Sequence, residues 1–414
     1  MNSENSRCII IGASHAGVTA AFALRQHGWK GEILLFDRQP SFPHQKPPLS
    51  KGFLSGKFQE KMMLLKAEQA YQKADIQLHT GTEILGIDRK SKKVEIEGQK
   101  ISYDKIILAS GSEAKLPPIN GLTGAKNCFT IRHMTDTEAL KICLEGLPQS
   151  HRKVVIVGAG YIGLEVAASL KGFGAEVTIL EKESRILSRV TGTHIADFLS
   201  KMHEENGIKL ALNASVEKIG FEENQQFVYC DDGTKHPSDI LIVGVGVRVN
   251  QELAEHAGLA ASNGVHVNGK CQTNDEDIYA VGDCTYHYSE IYGRNVRLES
   301  VQNAMDQANV AAMNIVGKDA SYNKVPWFWS DQFGIKLQIV GLLDGYSEFI
   351  VKDDPDKENS VSVWYFRENK LLAIDAINQP KSYMIGMRAI PQKLELDLEQ
   401  LKNATQPIKI ENIT

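Results

Sequence analysis

Two glycine-rich segments of this chain carry the residue spacing that binds a diphosphate. In the second, Gly158, Gly160 and Gly163 follow a β-branched apolar run and precede a stretch rich in alanine and leucine. This context places the pattern between a strand and a helix. A middle glycine lets the backbone approach a pyrophosphate, whose charge the helix N-terminus favours. We therefore predict a dinucleotide site at this turn, which Tyr161 and Ile162 complete.

An acidic residue ends the strand predicted after this turn. Glu181 lies about 20 residues beyond Gly158, the spacing at which a carboxylate reaches the ribose of NAD. A carboxylate accepts both ribose hydroxyls and repels the additional phosphate of NADPH, so NADH is the predicted cofactor. Lys182 and Arg185 follow closely and offset part of that repulsion, which leaves residual use of NADPH open.

The first glycine-rich segment has the same context with one departure. Gly12 and Gly17 occupy the outer glycine positions, Ser14 replaces the middle glycine, and His15 and Ala16 complete the turn. Because serine is small enough to permit close approach of the backbone, we predict a second dinucleotide site here. His15 is interpreted as the first residue of the helix rather than as a catalyst.

Asp37 ends the strand that follows the first turn and is the acid that corresponds to Glu181. Two dinucleotide sites in one chain, with no further substrate-sized domain, imply that one cofactor reduces the other. A nicotinamide supplies hydride and a flavin accepts it. FAD is therefore predicted at the first turn and NADH at the second.

The elements that position these residues occur twice along the chain. Segments 8–37 and 154–181 both have the order strand, glycine turn, helix, strand. Segments 103–112 and 238–247 both look like a buried strand that enters a glycine turn. These closing turns supply three more candidate cofactor contacts: Ala109, Gly111 and Gly246.

The last part of the chain has a different residue pattern. From about Val325, aromatic and branched residues alternate, which predicts an antiparallel sheet. Alanines at helical spacing in 297–317 predict a helix before it. Polar residues 353–360 are expected to join two strands, and a short helix with a loose end is expected after Gln392.

These patterns predict an α/β protein with two Rossmann-like dinucleotide-binding domains and a C-terminal α+β domain with an antiparallel sheet. The expected FAD-binding domain is discontinuous. The expected boundaries are 1–115 with 246–322 for FAD, 116–245 for NAD, and 323–414 for the C-terminal domain.

Composition narrows the possible partners and compartments. A net charge of −5 gives no overall basic field for a nucleic acid. The start lacks a secretion signal, and no window approaches ~18 uninterrupted apolar residues. We therefore expect a cytoplasmic protein with no nucleic-acid or membrane partner.

The six cysteines, at positions 8, 128, 143, 230, 271 and 284, form neither CxxC pairs nor ligand clusters, so no disulfide and no metal site is predicted.

Five longer motifs closely resemble the FAD-dependent ferredoxin and rubredoxin reductases of the putidaredoxin reductase type. They are PPLSKGFLSGK (47–57), GAGYIGLEVA (158–167), YAVGDC (279–284), RLESVQNA (297–304) and PWFWSDQ (326–332). The resemblance covers nearly the whole chain and implies a glutathione-reductase-like fold. It also implies hydride transfer from NADH to FAD, followed by single-electron transfer to a small iron-sulfur ferredoxin, expected to be of the 2Fe-2S type, or to a rubredoxin. The carrier would supply a cytochrome P450 or a ring-hydroxylating oxygenase, and the reductase would be a monomer or weak homodimer.

The resemblance also implies roles for individual residues. Lys51 is expected beside the flavin N5 edge, with Glu165 as its buried partner, and these two are the candidate catalytic residues. Asp283, after Gly282, resembles the aspartate that hydrogen-bonds the flavin ribityl chain. Trp329 resembles an aromatic on the acceptor side of the flavin, although a core tryptophan is the alternative. Three further positions fall where the family contacts FAD: Ile84, Arg132 and Val301.

The sequence departs from this family at several points. Besides Ser14, residues 44–46 replace a Tyr-x-Arg pattern that many relatives carry. Aligned from the 47–57 motif, the acid position falls on Arg38 rather than Asp37, so both remain candidates for the FAD ribose.

The absence of a paired redox cysteine argues against a reductase that passes electrons through a disulfide. Two other functions remain open on this fold. One is an NADH oxidase or monodehydroascorbate-type reductase with a small-molecule acceptor. The other is an NADH-sensing binding flavoprotein like apoptosis-inducing factor, in which turnover is incidental.

Overall fold

The computed structural model describes residues 4–405 and 408–413. It divides into two compact units. Unit 1 comprises Met1–Gln45, Glu60–Glu113 and Arg248–Pro326, and unit 2 comprises Lys46–Gln59, Ala114–Val247 and Trp327–Thr414.

The strands and helices have the following bounds. The strands are β1 (Arg7–Ile11), β2 (Glu32–Asp37), β3 (Gln77–Thr80), β4 (Gly86–Asp88), β5 (Lys93–Ile96), β6 (Gln99–Ser102), β7 (Lys105–Leu108), β8 (Ser112–Ala114), β9 (Cys128–Phe129), β10 (Lys153–Val157), β11 (Glu176–Glu181), β12 (Lys209–Leu212), β13 (Val216–Glu222), β14 (Gln225–Cys230), β15 (Lys235–Ser238), β16 (Ile240–Val243), β17 (Val247–Val249), β18 (Val265–Val267), β19 (Ile278–Ala280), β20 (Thr285–Ser289), β21 (Arg294–Val296), β22 (Trp327–Gln332), β23 (Ile335–Gly341), β24 (Glu348–Asp353), β25 (Val361–Arg367) and β26 (Lys370–Ile377). The helices are α1 (His15–His27), α2 (Glu60–Met63), α3 (Glu68–Lys73), α4 (Met134–Gly146), α5 (Tyr161–Lys171), α6 (Thr193–Glu205), α7 (Glu252–His256), α8 (Val301–Ile315), α9 (Pro380–Gln392) and α10 (Leu398–Asn403). Short 3-10 turns lie at Pro47–Ser50, Leu122–Gly124, Gln149–His151, Gly282–Cys284 and Ile410–Asn412.

Unit 1 is built around a parallel sheet with the strand order β19-β7-β1-β2-β3. Its central strand is almost entirely apolar because both faces of a parallel sheet are covered. Helices α1 and α8 pack against each other, and their alanines lie in one core with the side chains on one face of β1. The other face of the sheet packs on a second core that includes Phe36 and Ile84.

Unit 2 contains a second sheet of related order, β12-β11-β10-β16-β9, whose strands are also parallel. Strand β10 again lies in the centre and is followed directly by a glycine turn and α5. A small antiparallel sheet, β13-β14-β15, packs on one side and shares a core with β10 and β16. The predicted repeat of strand, glycine turn, helix and strand is therefore confirmed in both units.

The C-terminal part of unit 2 is an antiparallel sheet with the order β22-β23-β26-β25-β24. Helix α9 packs against β26 and β23. The predicted antiparallel sheet, the connection at 353–360 and the helix at Val301–Ile315 are confirmed. The prediction of a loose end after the last helix is wrong for the described part of the tail, because Ile408 and Ile413 are buried. Residues 406–407 and 414 lie outside the described residues.

The compact units do not follow the predicted domain boundaries. Segment Lys46–Gln59, expected in the FAD-binding domain, belongs to unit 2. Unit 2 also combines the segments expected to form separate NAD-binding and C-terminal domains. The division into three domains stays a prediction. Among the described residues, none of the helices has the length and apolar character needed to cross a bilayer.

Candidate functional site

The second glycine turn has the backbone geometry that a pyrophosphate requires. Gly158 has a φ of +103°, and a Cβ atom added to it would lie 2.5 Å from the carbonyl oxygen of Gly244. A Cβ on Gly163 would lie 2.2 Å from the Gly158 oxygen, so the helix packs tightly on the turn. A Cβ on Gly160 would meet no atom within 4 Å. The outer glycines thus shape the turn, and the middle one borders open space at the N-terminus of α5, which fits a phosphate.

The first turn repeats this arrangement in unit 1. Gly12 has a φ of +105°, and an added Cβ would lie 2.2 Å from the Ala109 oxygen. A Cβ on Gly17 would lie 1.7 Å from the Gly12 oxygen. Ser14 caps α1 with φ −93° and ψ −160°, close to the φ −79° and ψ −179° of Gly160. Since this is ordinary extended backbone, the middle position needs a small side chain but no glycine. His15 is the first residue of the helix, as predicted.

The two strand-end acids make the same hydrogen bonds. The Asp37 carboxylate accepts from the backbone N–H groups of Ala13 at 2.7 Å and Gln39 at 2.8 Å. The Glu181 carboxylate accepts from Ala159 at 2.7 Å and Glu183 at 3.0 Å. Each acid therefore braces its own glycine turn and retains further lone pairs for ribose hydroxyls.

Asp37 and Arg38, the two candidates for the FAD ribose, differ in their surroundings. Asp37 has the same position in its turn as Glu181 has in the other turn. The Arg38 side chain is instead half-exposed and pairs with the carboxylates of Glu113 and Glu83. Asp37 is accordingly the better candidate for the ribose.

Several predicted contacts converge on the start of α1 in unit 1. Gly282 has a φ of +83°, and a Cβ added to it would lie 3.1 Å from the Cβ of Ala16. The next residue, Asp283, accepts a hydrogen bond from the Ser112 hydroxyl at 2.9 Å. The Gly282 N–H donates to the buried Gln307 side chain at 2.8 Å. Ser112 and Gln307 were not predicted, because a single polar residue on a strand or helix carries no motif.

Four further predicted residues of unit 1 lie on a strand end, a turn, a helix start and in the core. Ala109 is buried, the glycine turn at Gly12 packs against its carbonyl oxygen, and its N–H donates to the Ile11 oxygen at 2.8 Å. Gly111 has a φ of +63°, and its carbonyl accepts from Asn250 N–H at 3.0 Å. Val301 is the first residue of α8, and Ile84 lies in the core beneath the sheet.

In unit 2, Lys51 and Glu165 form the ion pair that the family resemblance implies. Lys51 Nζ lies 3.0 Å from Glu165 Oε1, and Glu165 is only 2% exposed. Two serines complete its surroundings: Ser50 Oγ donates to Oε2 at 2.5 Å and Ser330 Oγ donates to Oε1 at 2.5 Å. Burial raises the pKa of the Glu165 carboxyl above its usual range, and the Lys51 ammonium and both hydroxyls oppose that rise.

The other predicted residues of unit 2 lie on β22, at the start of α5 and on two loops. Trp329 is half-buried on β22, with its ring centroid 5.6 Å from that of Trp327. Tyr161 packs on Phe328, with 4.2 Å between ring centroids. Ile162 is exposed beside it. Two more predicted residues lie on loops: Arg132, whose carbonyl accepts from Lys46 Nζ at 3.1 Å, and Gly246, with a φ of +103°.

The cysteines offer no reactive pair. All six are free thiols, and four of them are buried. Burial raises the pKa of the Cys8 thiol to about 12 and also raises those of Cys271 and Cys284. Within residues 4–405 and 408–413, no three His, Cys, Asp or Glu side chains converge as metal ligands.

Comparison with known proteins places the chain in a family. Residues 6–308 match the pyridine nucleotide-disulphide oxidoreductase family and residues 327–410 match the reductase C-terminal family. The chain is 37% identical to putidaredoxin reductase CamA of Pseudomonas putida over 411 residues, which covers 98% of this chain and 96% of the relative. It is also 37% identical, over 97% of both chains, to the ferredoxin reductase subunit of 5,5'-dehydrodivanillate O-demethylase from a Sphingobium strain.

A solved structure agrees with these sequence matches. The reductase chain in a covalent putidaredoxin reductase–putidaredoxin complex matches with a TM-score of 0.93 and 36% identity, covering 98% of this chain and 97% of that one. The fold class and the family predicted from sequence are thereby confirmed. The chain belongs to the pyridine nucleotide-disulphide oxidoreductases, in the group of FAD-dependent ferredoxin and rubredoxin reductases.

Proposed function

We propose that this protein is an NADH-dependent ferredoxin reductase that passes single electrons from FAD to a small iron-sulfur protein. The observation that carries the proposal is the pair of matched glycine turns, one in each unit, each with a braced acid at the following strand end. One chain that holds two dinucleotides needs no other substrate for hydride transfer. When bound, the flavin takes up two electrons as hydride and releases them singly.

Unit 1 would hold FAD through the first turn. The N-terminus of α1 and the close backbone approach at Ser14 favour the pyrophosphate. Asp37 would accept the ribose hydroxyls. Asp283, oriented by Ser112, would accept a hydroxyl of the ribityl chain.

Unit 2 would hold NADH through the second turn. Gly160 leaves room for the pyrophosphate, and Glu181 would accept the ribose hydroxyls while disfavouring the phosphate of NADPH. Lys51 would place a positive charge where the reduced flavin gains negative charge, and Glu165 would keep that ammonium in place. No side chain has to remove a proton for hydride transfer, so this pair supplies charge and position only.

The acceptor is supported by the relatives and by the cysteines. The matched relatives are named as reductases of putidaredoxin and of another ferredoxin system. The six cysteines of this chain are free thiols, four of them buried, and form no disulfide through which electrons could leave. Electrons would therefore pass directly to the carrier, with Trp329 on the acceptor side. The carrier would be a ferredoxin, of the 2Fe-2S type, serving a cytochrome P450 or ring-hydroxylating oxygenase. The protein would act in the cytoplasm as a monomer or weak homodimer.

The test is a comparison of electron acceptors. The purified protein should be yellow, and NADH should bleach its flavin absorbance in stopped flow. Reoxidation is then followed with oxygen, with a small quinone-like or ascorbyl radical acceptor, and with a panel of ferredoxins and rubredoxins. Faster reoxidation by one iron-sulfur protein than by oxygen supports the proposal. Faster reoxidation by oxygen or the small acceptor would favour an oxidase or small-molecule reductase, and a long-lived reduced complex with every acceptor would favour an NADH sensor.

A further inference from the structure

Glu165 is the end of a longer row of buried hydrogen bonds within unit 2. Ser330 and Gln332 are two residues apart on β22, so both side chains lie on the same face of the strand. They are 1% and 3% exposed. On α6, His203 is 0% exposed and lies beyond Gln332. The row therefore runs from α6 through β22 to α5.

When Glu165 is ionised, each hydrogen bond in this row has one direction. Ser330 Oγ donates its only proton to Glu165 Oε1 at 2.5 Å, so it accepts from Gln332 Nε2 at 2.9 Å. The Gln332 amide oxygen then faces His203 Nε2 at 2.7 Å and must accept its proton. Every donor in the row points toward the Glu165 carboxylate.

The hydrogen bonds of this row also determine which ring nitrogen of His203 carries a proton. With Nε2 protonated, Nδ1 carries no proton in the neutral ring, and this buried atom has no hydrogen-bond partner among the described residues. Burial lowers the pKa of His203, which agrees with a neutral imidazole. The Phe333 ring lies at 75° to the imidazole plane, with 5.1 Å between the ring centroids. His203 has no exposed surface, so solvent does not contact the row at this end.

We propose that His203, Gln332 and Ser330 are positioning residues that hold Glu165 in its ionised form and thereby keep Lys51 charged and oriented. This inference deepens the proposed function and depends on its assignment of Lys51 to the flavin. A one-directional row of donors stabilises an anion at its accepting end, because each bond polarises the next. It offsets the desolvation that would otherwise make Glu165 neutral.

The groups that face Glu165 are few. Lys51 and Ser50 approach from the Pro47–Ser50 turn and the residue after it, and Ser330 approaches from β22. On α5 itself, Tyr161 adds a hydroxyl within electrostatic range. Lys51 is the cation that faces Glu165, so loss of any donor leaves the ammonium as the main force against protonation.

The test measures the ionisation of Glu165 in the oxidised holoenzyme by infrared spectroscopy as a function of pH. The band of the protonated carboxyl is assigned by its loss in Glu165→Gln. Ser330→Ala removes a direct donor and Gln332→Leu removes the donor behind it. We expect the apparent pKa of Glu165 to rise by about one unit in each, a tenfold change in its ionisation constant. Gln226→Leu, at another buried and hydrogen-bonded glutamine of unit 2, is the matched control and should leave the titration unchanged.

A second measurement needs no substitution in the row. Nitrogen NMR of the wild-type holoenzyme should show His203 as a neutral ring with its proton on Nε2 between pH 5 and 8. A ring protonated on Nδ1, a charged ring, or an unchanged Glu165 titration in folded Ser330→Ala and Gln332→Leu would overturn the inference. These readouts do not depend on any electron acceptor. Absence of ferredoxin reduction would thus refute the proposed function. The Glu165 titration and the His203 NMR measurement test the positioning role of the row independently of that result.

Discussion

At the scale of single residues, the roles of the acids depend on partners that lie far away in sequence. Glu165 is held by Ser50 and Ser330, which are 115 and 165 residues distant along the chain. The family resemblance pointed to Lys51 as its partner. Both serines lie within the quoted motifs at 47–57 and 326–332, but their contacts with Glu165 were not predicted, because the spacing of a serine does not indicate a partner on another element. Asp37 and Glu181, in contrast, are recognisable from their distance to a glycine turn, since that spacing is set by one helix and one strand.

Removing the charge at Lys51 should slow flavin reduction. We expect Lys51→Met to lower the rate of flavin reduction by NADH about tenfold to hundredfold, because a cation beside the ring stabilises the charge that develops there. FAD should remain bound, since the first glycine turn is untouched. Single-turnover stopped flow measures the rate. Lys57→Met, at an exposed lysine of the same segment, is the control, and wild-type rates in both variants would remove Lys51 from the mechanism.

Neutralising Glu181 should weaken discrimination between the nicotinamide cofactors. Glu181→Gln keeps an oxygen for the Ala159 N–H but loses the charge that repels the phosphate of NADPH. We expect the ratio of kcat/KM for NADH over NADPH to fall about tenfold, equivalent to ~1.4 kcal/mol.

The control for that experiment lies on the same strand. Glu176 begins β11 and pairs with Lys209 at the opposite end from the turn. Glu176→Gln should leave the cofactor ratio unchanged. A Glu181→Gln enzyme with the wild-type ratio would show that another residue selects NADH.

At the scale of elements, the order strand, glycine turn, helix, strand was predictable because each part has its own periodicity or turn chemistry. The structure explains why Ser14 is compatible with that order: the middle residue of the turn has a negative φ. The segment Lys46–Gln59 was harder to place. Its place in unit 2 depends on buried contacts such as that of Ser50 with Glu165. Such contacts produce no periodic pattern in the sequence.

The two glycine-turn positions should respond oppositely to substitution. Gly12→Ala forces a Cβ to within 2.2 Å of the Ala109 oxygen at a positive φ, so we expect a loss of ~2 kcal/mol or more in stability and loss of bound flavin. Ser14→Gly should retain flavin and cost at most ~1 kcal/mol through backbone entropy. Flavin content per protein and thermal unfolding measure both effects. Equal flavin loss in the two variants would contradict the assigned turn geometry.

At the scale of the whole molecule, the repeated α/β halves and the C-terminal antiparallel sheet were predictable from texture alone. The division into two compact units could not be predicted from the sequence. Unit 2 combines the predicted NAD-binding and C-terminal domains, and the polar contacts between these two segments form only in the folded chain. Tyr365 of β25 illustrates this. Its hydroxyl donates to Asp375 on β26 at 2.8 Å and accepts from the Gly192 N–H, at the start of α6, at 3.1 Å.

This buried contact predicts a pH dependence of stability. Burial raises the pKa of Asp375 from 3.8 to about 7, and the hydrogen bond from Tyr365 opposes that rise. A carboxyl whose pKa is higher in the folded state stabilises the fold fully below pH 4, and this contribution is lost as the pH rises toward 7. The full effect of such a shift is on the order of 4 kcal/mol.

Replacing Asp375 with asparagine should therefore remove this term. Relative to wild type, the melting temperature of Asp375→Asn should rise steadily between pH 5 and pH 8, because the variant has no buried carboxyl to ionise. Scanning calorimetry at several pH values measures the difference. Asp353→Asn, at an exposed position of the same sheet, should show no such trend. A difference between Asp375→Asn and wild type that does not change with pH would mean that Asp375 keeps one protonation state throughout this range.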